Sequence, residues 1–305
     1  MTALILDCDP GIDDALALAL LAGSPSVELV GVTTVAGNVG LDRTTANALA
    51  LREFLALGDV PVHAGAGRAL LRDQIHAAHV HGDNGLAGVD LPAPARGADP
   101  GHAVDFIISS LRARPGEITL VAVGPLTNIA LAVRLEPRIV EWARELVVMG
   151  GTFTRGNTNP AAEFNILTDP EAAAIVFGAG WKVTQITLDV TLTALVTTAV
   201  LDRMRPLGRL ADLVVPCCQF YGQVTTDGGP ALHDAVAVAY ALDPGLVHLT
   251  PAQVDVETAG RFSSGMTVTR FTADGGNALV ATGLDVGGFW ELLIASYERL
   301  AERLG

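Results

Sequence analysis

The chain has 305 residues, half of them hydrophobic and 17% charged, enough for one large domain with a deep core. Its 19 Lys and Arg face 33 Asp and Glu, a net charge of −14. Nucleic-acid polymers and anionic membrane surfaces are therefore poor partners, and a neutral substrate or a bound cation fits better. The three cysteines, Cys8, Cys217 and Cys218, form neither a disulfide framework nor a zinc-ligand pattern, which points to a reducing, cytoplasmic setting. The start, Met1-Thr2-Ala3-Leu4-Ile5-Leu6-Asp7, lacks the basic segment of a signal peptide. The apolar run from Ile12 to Ala22 is too short, and interrupted by Asp13 and Asp14, to span a membrane.

In chain order, Leu4 to Leu6 reads as a buried strand and Asp13 to Leu21 as an Ala- and Leu-rich helix. A strand from Val27 to Ala36, a helix from Leu41 to Leu57 and a short strand from Val60 to Ala64 follow. Helices are expected over Ala103–Arg112, Leu126–Val133 and Glu171–Phe177, and strands over Ile118–Val123, Leu146–Met149 and Val183–Leu188. This alternation predicts an open, mainly parallel α/β sheet flanked by helices. The last third changes character. Leu232 to Leu242 has helical spacing, Gln253–Glu257 and Met266–Phe271 read as an antiparallel pair, and Leu279–Ala281 can add a strand. Phe289 to Leu304 closes the chain as an amphipathic helix, so the C-terminal strands read as a small antiparallel addition. With no repeat or linker, residues 1–305 are expected to form a single domain. The aperiodic stretches His76–Pro94 and Tyr221–Pro230 are candidate active-site loops.

Ligands of open α/β sheets bind beyond the carboxyl ends of the strands. Asp7 and Asp9 end the first expected strand, Asn38 follows the second, and Val123 and Met149 end later ones. Asp7, Asp9, Asp13 and Asp14 put four carboxylates within eight residues beside an apolar strand. Such charges repel strongly at low dielectric, and a hard divalent cation with oxygen ligands is the economical counterweight. One Asp there would read as a helix cap; four make capping alone the weaker explanation. His233-Asp234 at a helix start and Glu163-Phe164-Asn165 after Gly156-Asn157 each mean little alone, since helix-end charge and turn chemistry explain them.

Taken together, these segments resemble the inosine-uridine preferring nucleoside hydrolase family. The resemblance runs through Asp7-Cys8-Asp9-Pro10-Gly11-Ile12-Asp13-Asp14-Ala15 and Val32-Thr33-Thr34-Val35-Ala36-Gly37-Asn38. It continues through Gly124-Pro125-Leu126-Thr127-Asn128-Ile129-Ala130, Val148-Met149-Gly150-Gly151 and Ala162-Glu163-Phe164-Asn165, and ends at His233-Asp234. Order and spacing both fit over most of the chain.

The resemblance implies Ca²⁺-dependent hydrolysis of the N-glycosidic bond of ribonucleosides to base and ribose. It implies that Asp9, Asp14, Asp234 and the main-chain carbonyl of Val123 hold the ion, with Asp7 behind them as an orienting group. Relatives often carry Thr where this chain has Val123, a change that a main-chain ligand tolerates. Asp9 would also take the proton of the attacking water, which the cation activates. Asp13, Asn38 and Asn165 would bind the 2′- and 3′-hydroxyls, Asn157 and Glu163 the 5′-hydroxyl, and Met149 would pack against the sugar. Phe164 would face the oxocarbenium-like centre. His233, and with less support His81 and Tyr221, would meet the leaving base. His233 inclines the reading to broad or inosine-uridine use, and the family commonly forms homodimers or homotetramers. Two other readings compete. A strand ending in Asp7-x-Asp9 also suits a haloacid-dehalogenase-type phosphatase, but the only lysine, Lys182, lacks the context that chemistry needs. The other is a non-catalytic ribose or nucleoside sensor that keeps the calcium pocket, against which the presence of the implied base Asp9 argues.

Overall fold

The computed structural model describes residues 1–224, 229–273 and 275–305. Nine strands form one sheet: β1 (Thr2–Cys8), β2 (Val27–Thr34), β3 (Val62–Ala64), β4 (Ile118–Ala122), β5 (Glu145–Met149), β6 (Val183–Ile186), β7 (Val247–Val256), β8 (Thr267–Phe271) and β9 (Ala278–Leu284). Their order is β3-β2-β1-β4-β5-β6-β9-β7-β8. The run from β3 to β9 is parallel, while β7 pairs antiparallel with both β9 and β8. The expected mixed α/β sheet is therefore present. The C-terminal strands are continuous with it, because β9 enters parallel beside β6 and brings the β7–β8 pair with it.

From β1 the chain winds outward to β2 and β3, then returns to the centre and winds the other way through β4, β5 and β6. That reversal places a topological switch point between the carboxyl ends of β1 and β4, where the strands no longer feed a common side and a crevice opens.

Alternation along β1 builds both halves of the core. Leu4, Leu6 and Cys8 face the helices Ile12–Ala22, His233–Leu242 and Val286–Leu304. Ala3 and Ile5 face the helices Ala103–Ala113, Thr127–Leu135 and Pro170–Phe177. The helix Ile12–Ala22 is buried along its whole length, which explains its unbroken Ala and Leu content. Tyr297 donates a hydrogen bond to its Leu16 carbonyl and ties the closing helix onto it.

Two expectations need correction. The first strand runs past the expected Leu6 to Cys8, so Asp7 lies inside β1, paired with Thr33 and Ala122 on the neighbouring strands. Tyr221 lies in the last turn of the helix Ala211–Val224, not in a loop; residues 225–228 of the expected loop are outside the described residues. Pro216 inside that helix, with Gly208 and Pro206 before it, breaks the periodicity that would have announced it. His76–Pro94 is largely loop, with one helical turn at Ala78–His81. Among the described residues no helix is long and apolar enough to cross a membrane.

Candidate active site

Two helix N-termini meet at the switch point. The helix Ile12–Ala22 carries Asp13 and Asp14 in its first turn, and the helix His233–Leu242 carries Asp234 in its own. Carboxylate oxygens of Asp13, Asp14 and Asp234 lie within 4.8 Å of one another, all buried. The positive ends of both helix dipoles favour negative charge there but cannot balance three carboxylates. Asp14 is the best satisfied. Its Oδ1 accepts from the Asp9 N–H at 3.1 Å, and its Oδ2 from the Gly11 N–H at 2.9 Å and the Asn38 amide at 3.2 Å. Burial still pushes its carboxyl up to about 6. Burial and the charge of neighbouring acids, Asp14 among them, hold Asp9, Asp13 and Asp234 well above the usual carboxylate range.

Asp9 sits just behind this trio. The Asn38 N–H donates to its Oδ2 at 2.7 Å, while its Oδ1 is buried with no hydrogen-bond partner among the described residues. The loops after β2 and β4 press on it through glycines. A Cβ on Gly37 would lie 2.0 Å from Asp9 Oδ2, and one on Gly124 would lie 2.6 Å from Oδ1. Asp7 lies on the face of β1 that carries Ala3 and Ile5, away from the helix Ile12–Ala22. There Thr33 and Asn128 both donate to its Oδ1, at 2.5 and 2.8 Å, and burial pushes its carboxyl up to about 7.

A cavity of about 580 Å³ opens above the acids, lined by residues that include Asp13, Asn38, Val123, Met149 and Asp234. At one side of it the amide of Asn165 donates to the carbonyls of Val123 at 2.8 Å and Met149 at 3.1 Å, which leaves the Asn165 Oδ1 for a ligand. Asn38 likewise spends its amide hydrogens on Asp9 O and Asp14 Oδ2. Glu163 caps the turn Phe164–Thr168 through the N–H groups of Asn165 and Ile166 and also accepts from the Gly151 N–H. Burial pushes it up to about 6. The Asn157 Oδ1 accepts from the Phe164 N–H at 3.0 Å, leaving the Asn157 amide group as a donor at the cavity wall.

The other wall is aromatic. The Tyr221 ring lies 5.8 Å from that of His81 and 6.4 Å, edge-on, from that of His233. His81 Nδ1 accepts from the Ile12 N–H at 3.1 Å, so the ring is neutral and its Nε2 carries hydrogen. Burial, then the nearby His233 and His79, push His81 down to about 3, and burial pushes His233 down to about 4.

Of the fifteen residues singled out in the sequence, all meet at this place except Asp7, which supports the floor from behind. Several neighbours were not singled out. Ile75, His76, His79, Val80 and Leu192 line the cavity. Asn128 holds Asp7, and its place in the Gly124-to-Ala130 motif was the available signal. Thr191 holds His233 across 42 positions of sequence, a separation that no local pattern reveals.

A buried oxygen-rich floor at the switch point of a parallel sheet, under a cavity rimmed by amides and aromatics, defines an enzyme site for a small, hydroxyl-bearing molecule. The chain belongs to the inosine-uridine preferring nucleoside hydrolase family, whose sequence profile matches residues 4–291. It is 43% identical over 308 residues to an inosine-uridine preferring nucleoside hydrolase of Leishmania major, covering 98% of each chain. It is 39% identical to a pyrimidine-specific ribonucleoside hydrolase of Salmonella schwarzengrund, covering 95% of this chain and 96% of that one. A solved purine-preferring ribonucleoside hydrolase from Gardnerella vaginalis superposes with a TM-score of 0.92 at 37% identity, covering 99% of this chain and 100% of the other. The protein is thus an N-ribosyl hydrolase that splits ribonucleosides into base and ribose, and its family is metal-dependent.

Proposed function

We propose that the reaction is Ca²⁺-dependent, that inosine and uridine are substrates, and that Asp9 is the general base. The observation that carries this reading is the buried group Asp13, Asp14 and Asp234 with the partnerless Asp9 Oδ1 beside it. Every donor is oxygen, the set preferred by Ca²⁺ rather than Zn²⁺. Asp9, Asp14, Asp234 and the Val123 carbonyl would hold the ion; that carbonyl keeps a lone pair after accepting from Asn165. Once bound, the cation would acidify a water and attract the ribose diol.

The chain's own groups then divide the work. Asp9 accepts the water's proton through Oδ1, while the Asn38 N–H steadies Oδ2. Asp13 and the free carbonyl oxygens of Asn38 and Asn165 accept from the 2′- and 3′-hydroxyls. Asn157 and Glu163 hold the 5′-hydroxyl, Met149 packs under the ring, and Phe164 and the acids favour positive charge at the anomeric carbon. His233 hydrogen-bonds the departing base, with His81 and Tyr221 flanking it. Residues 1–305 act as one domain, in a cytoplasmic homodimer or homotetramer.

The test is base release from inosine and uridine after treatment with EGTA and then with added Ca²⁺, with 2′-deoxyinosine as comparator. Activity should vanish with chelator and return with calcium. A site that bonds the 2′-hydroxyl should discriminate against the deoxy substrate by about 10⁴-fold. Full activity in EGTA, or equal rates on the two inosines, would sink the assignment.

A further inference from the structure

The family reaction leaves one buried contact unexplained. His233 opens the helix His233–Leu242, and its Nδ1 lies 2.7 Å from Oγ1 of Thr191, which is fully buried. Thr191 ends the single helical turn Leu188–Thr191, which follows β6. That turn is fixed from several directions. The Leu188 N–H donates to the Gly151 carbonyl at 2.9 Å. Asp189 accepts from Thr152 and Phe153, at the start of the loop that carries Asn157 and Glu163. Beyond Thr191 the chain runs beside the segment that leads into His233. The Val196 N–H donates to the Pro230 carbonyl at 2.8 Å and the Leu232 N–H to the Ala194 carbonyl at 3.2 Å, about a bridge between Leu195 and Ala231. The hydroxyl and the imidazole are therefore held by paired backbone rather than by two independent side chains.

We propose that Thr191 is a positioning residue for His233. By engaging Nδ1 it fixes the ring plane and leaves Nε2 as the nitrogen presented to the cavity and the leaving base. An untethered ring could turn about its side-chain torsions and offer either nitrogen. This inference rests on the reading of His233 as the residue that meets the base.

The test compares Thr191→Val, Thr191→Ser, His233→Ala and the double variant Thr191→Val/His233→Ala in the calcium-loaded enzyme. Two substrates are used: inosine, whose base leaves poorly, and p-nitrophenyl riboside, whose leaving group needs no help. Thr191→Val should lower kcat on inosine by about 10- to 100-fold, the range typical when an imidazole loses its orienting partner. It should leave KM and the calcium concentration for half-activity in place, and p-nitrophenyl riboside turnover within about 2-fold, because only base departure is impaired. Thr191→Ser, which keeps the hydroxyl, should restore most of the inosine rate. The double variant should be no slower than His233→Ala, since both changes remove one function. Equal loss on both substrates, a shifted calcium dependence, or full inosine activity in Thr191→Val with a slow His233→Ala would overturn the positioning role alone. Full inosine activity in His233→Ala would overturn it together with the underlying reading of His233.

Discussion

Asp9 is gripped from two sides by chain that has no side chain to give. Gly37 and Gly124 approach its carboxylate so closely that a methyl group at either place would overlap an oxygen. The Gly37 contact is the tighter, and the adjacent Asn38 N–H is the donor that orients Oδ2. Gly37→Ala should therefore displace the carboxylate rather than unfold the protein. A shift near 1 Å at a reacting group costs about 100-fold in rate, so kcat on inosine should fall by about that factor. The melting temperature should move little beside it. Retention of wild-type kcat in Gly37→Ala would mean that the position of Asp9 is not critical to the reaction. The same residue shows what sequence could and could not disclose. The acidic cluster announces itself as charge that demands a counterweight. That Asp7 faces away from the helix bearing Asp13 and Asp14 follows from strand parity, because it shares the side of Ala3 and Ile5 under Asn128.

At the scale of elements, the helix Ile12–Ala22 couples site to core. Its first turn supplies Asp13 and Asp14, and the rest is buried between the sheet and two other helices. Leu20 is fully buried near its far end, distant in sequence from the acids. Leu20→Ala should cost about 2–5 kcal/mol, the price of a large cavity in a packed interior. Urea unfolding should show a lower midpoint with an unchanged slope, while kcat on inosine under native conditions stays near wild type. A midpoint within error of wild type would show that this helix relaxes around the loss. The parallel strands and their helices were legible because buried β-branched runs and Ala- and Leu-rich helices alternate with clear punctuation. The region from Thr193 to Val224 was not. Its helices Thr198–Met204 and Ala211–Val224 carry β-branched residues, and Pro206, Gly208 and Pro216 interrupt them. Their stability comes from tertiary packing, of Thr198–Met204 against the closing helix and of Ala211–Val224 against the helix Ile12–Ala22, which a local window cannot see. Tyr221 reads as loop for that reason, whereas the structure sets it on a helix at the cavity wall.

For the whole molecule, the acidic site sets a relation between pH, metal and stability. In the metal-free protein burial raises Asp7 to about 7 and Asp14 and Glu163 to about 6, and holds Asp9, Asp13 and Asp234 well above their ordinary 3.8. Each of these groups binds its proton more tightly folded than unfolded. The buried His81 and His233, pushed down to about 3 and 4, oppose this, but two imidazoles are outweighed by six acids. Between about pH 4 and 7 the folded chain therefore carries more protons, and its stability falls as pH rises. At the surface, general repulsion from a net charge of −14 adds to this trend, while acids held low by arginine, such as Glu28, Glu136 and Glu291, oppose it. Those surface terms are common to metal-free and metal-loaded protein, so the difference between the two isolates the site. A cation prefers deprotonated carboxylates and stabilises the folded state by mass action, more strongly where protons compete less. Melting temperatures in EGTA should thus be higher at pH 5.5 than at pH 7.5. The increment produced by saturating Ca²⁺ should be small at pH 5.5 and larger at pH 7.5. Calcium that stabilises equally at both values would mean it binds away from these buried acids, at groups already ionised throughout the range.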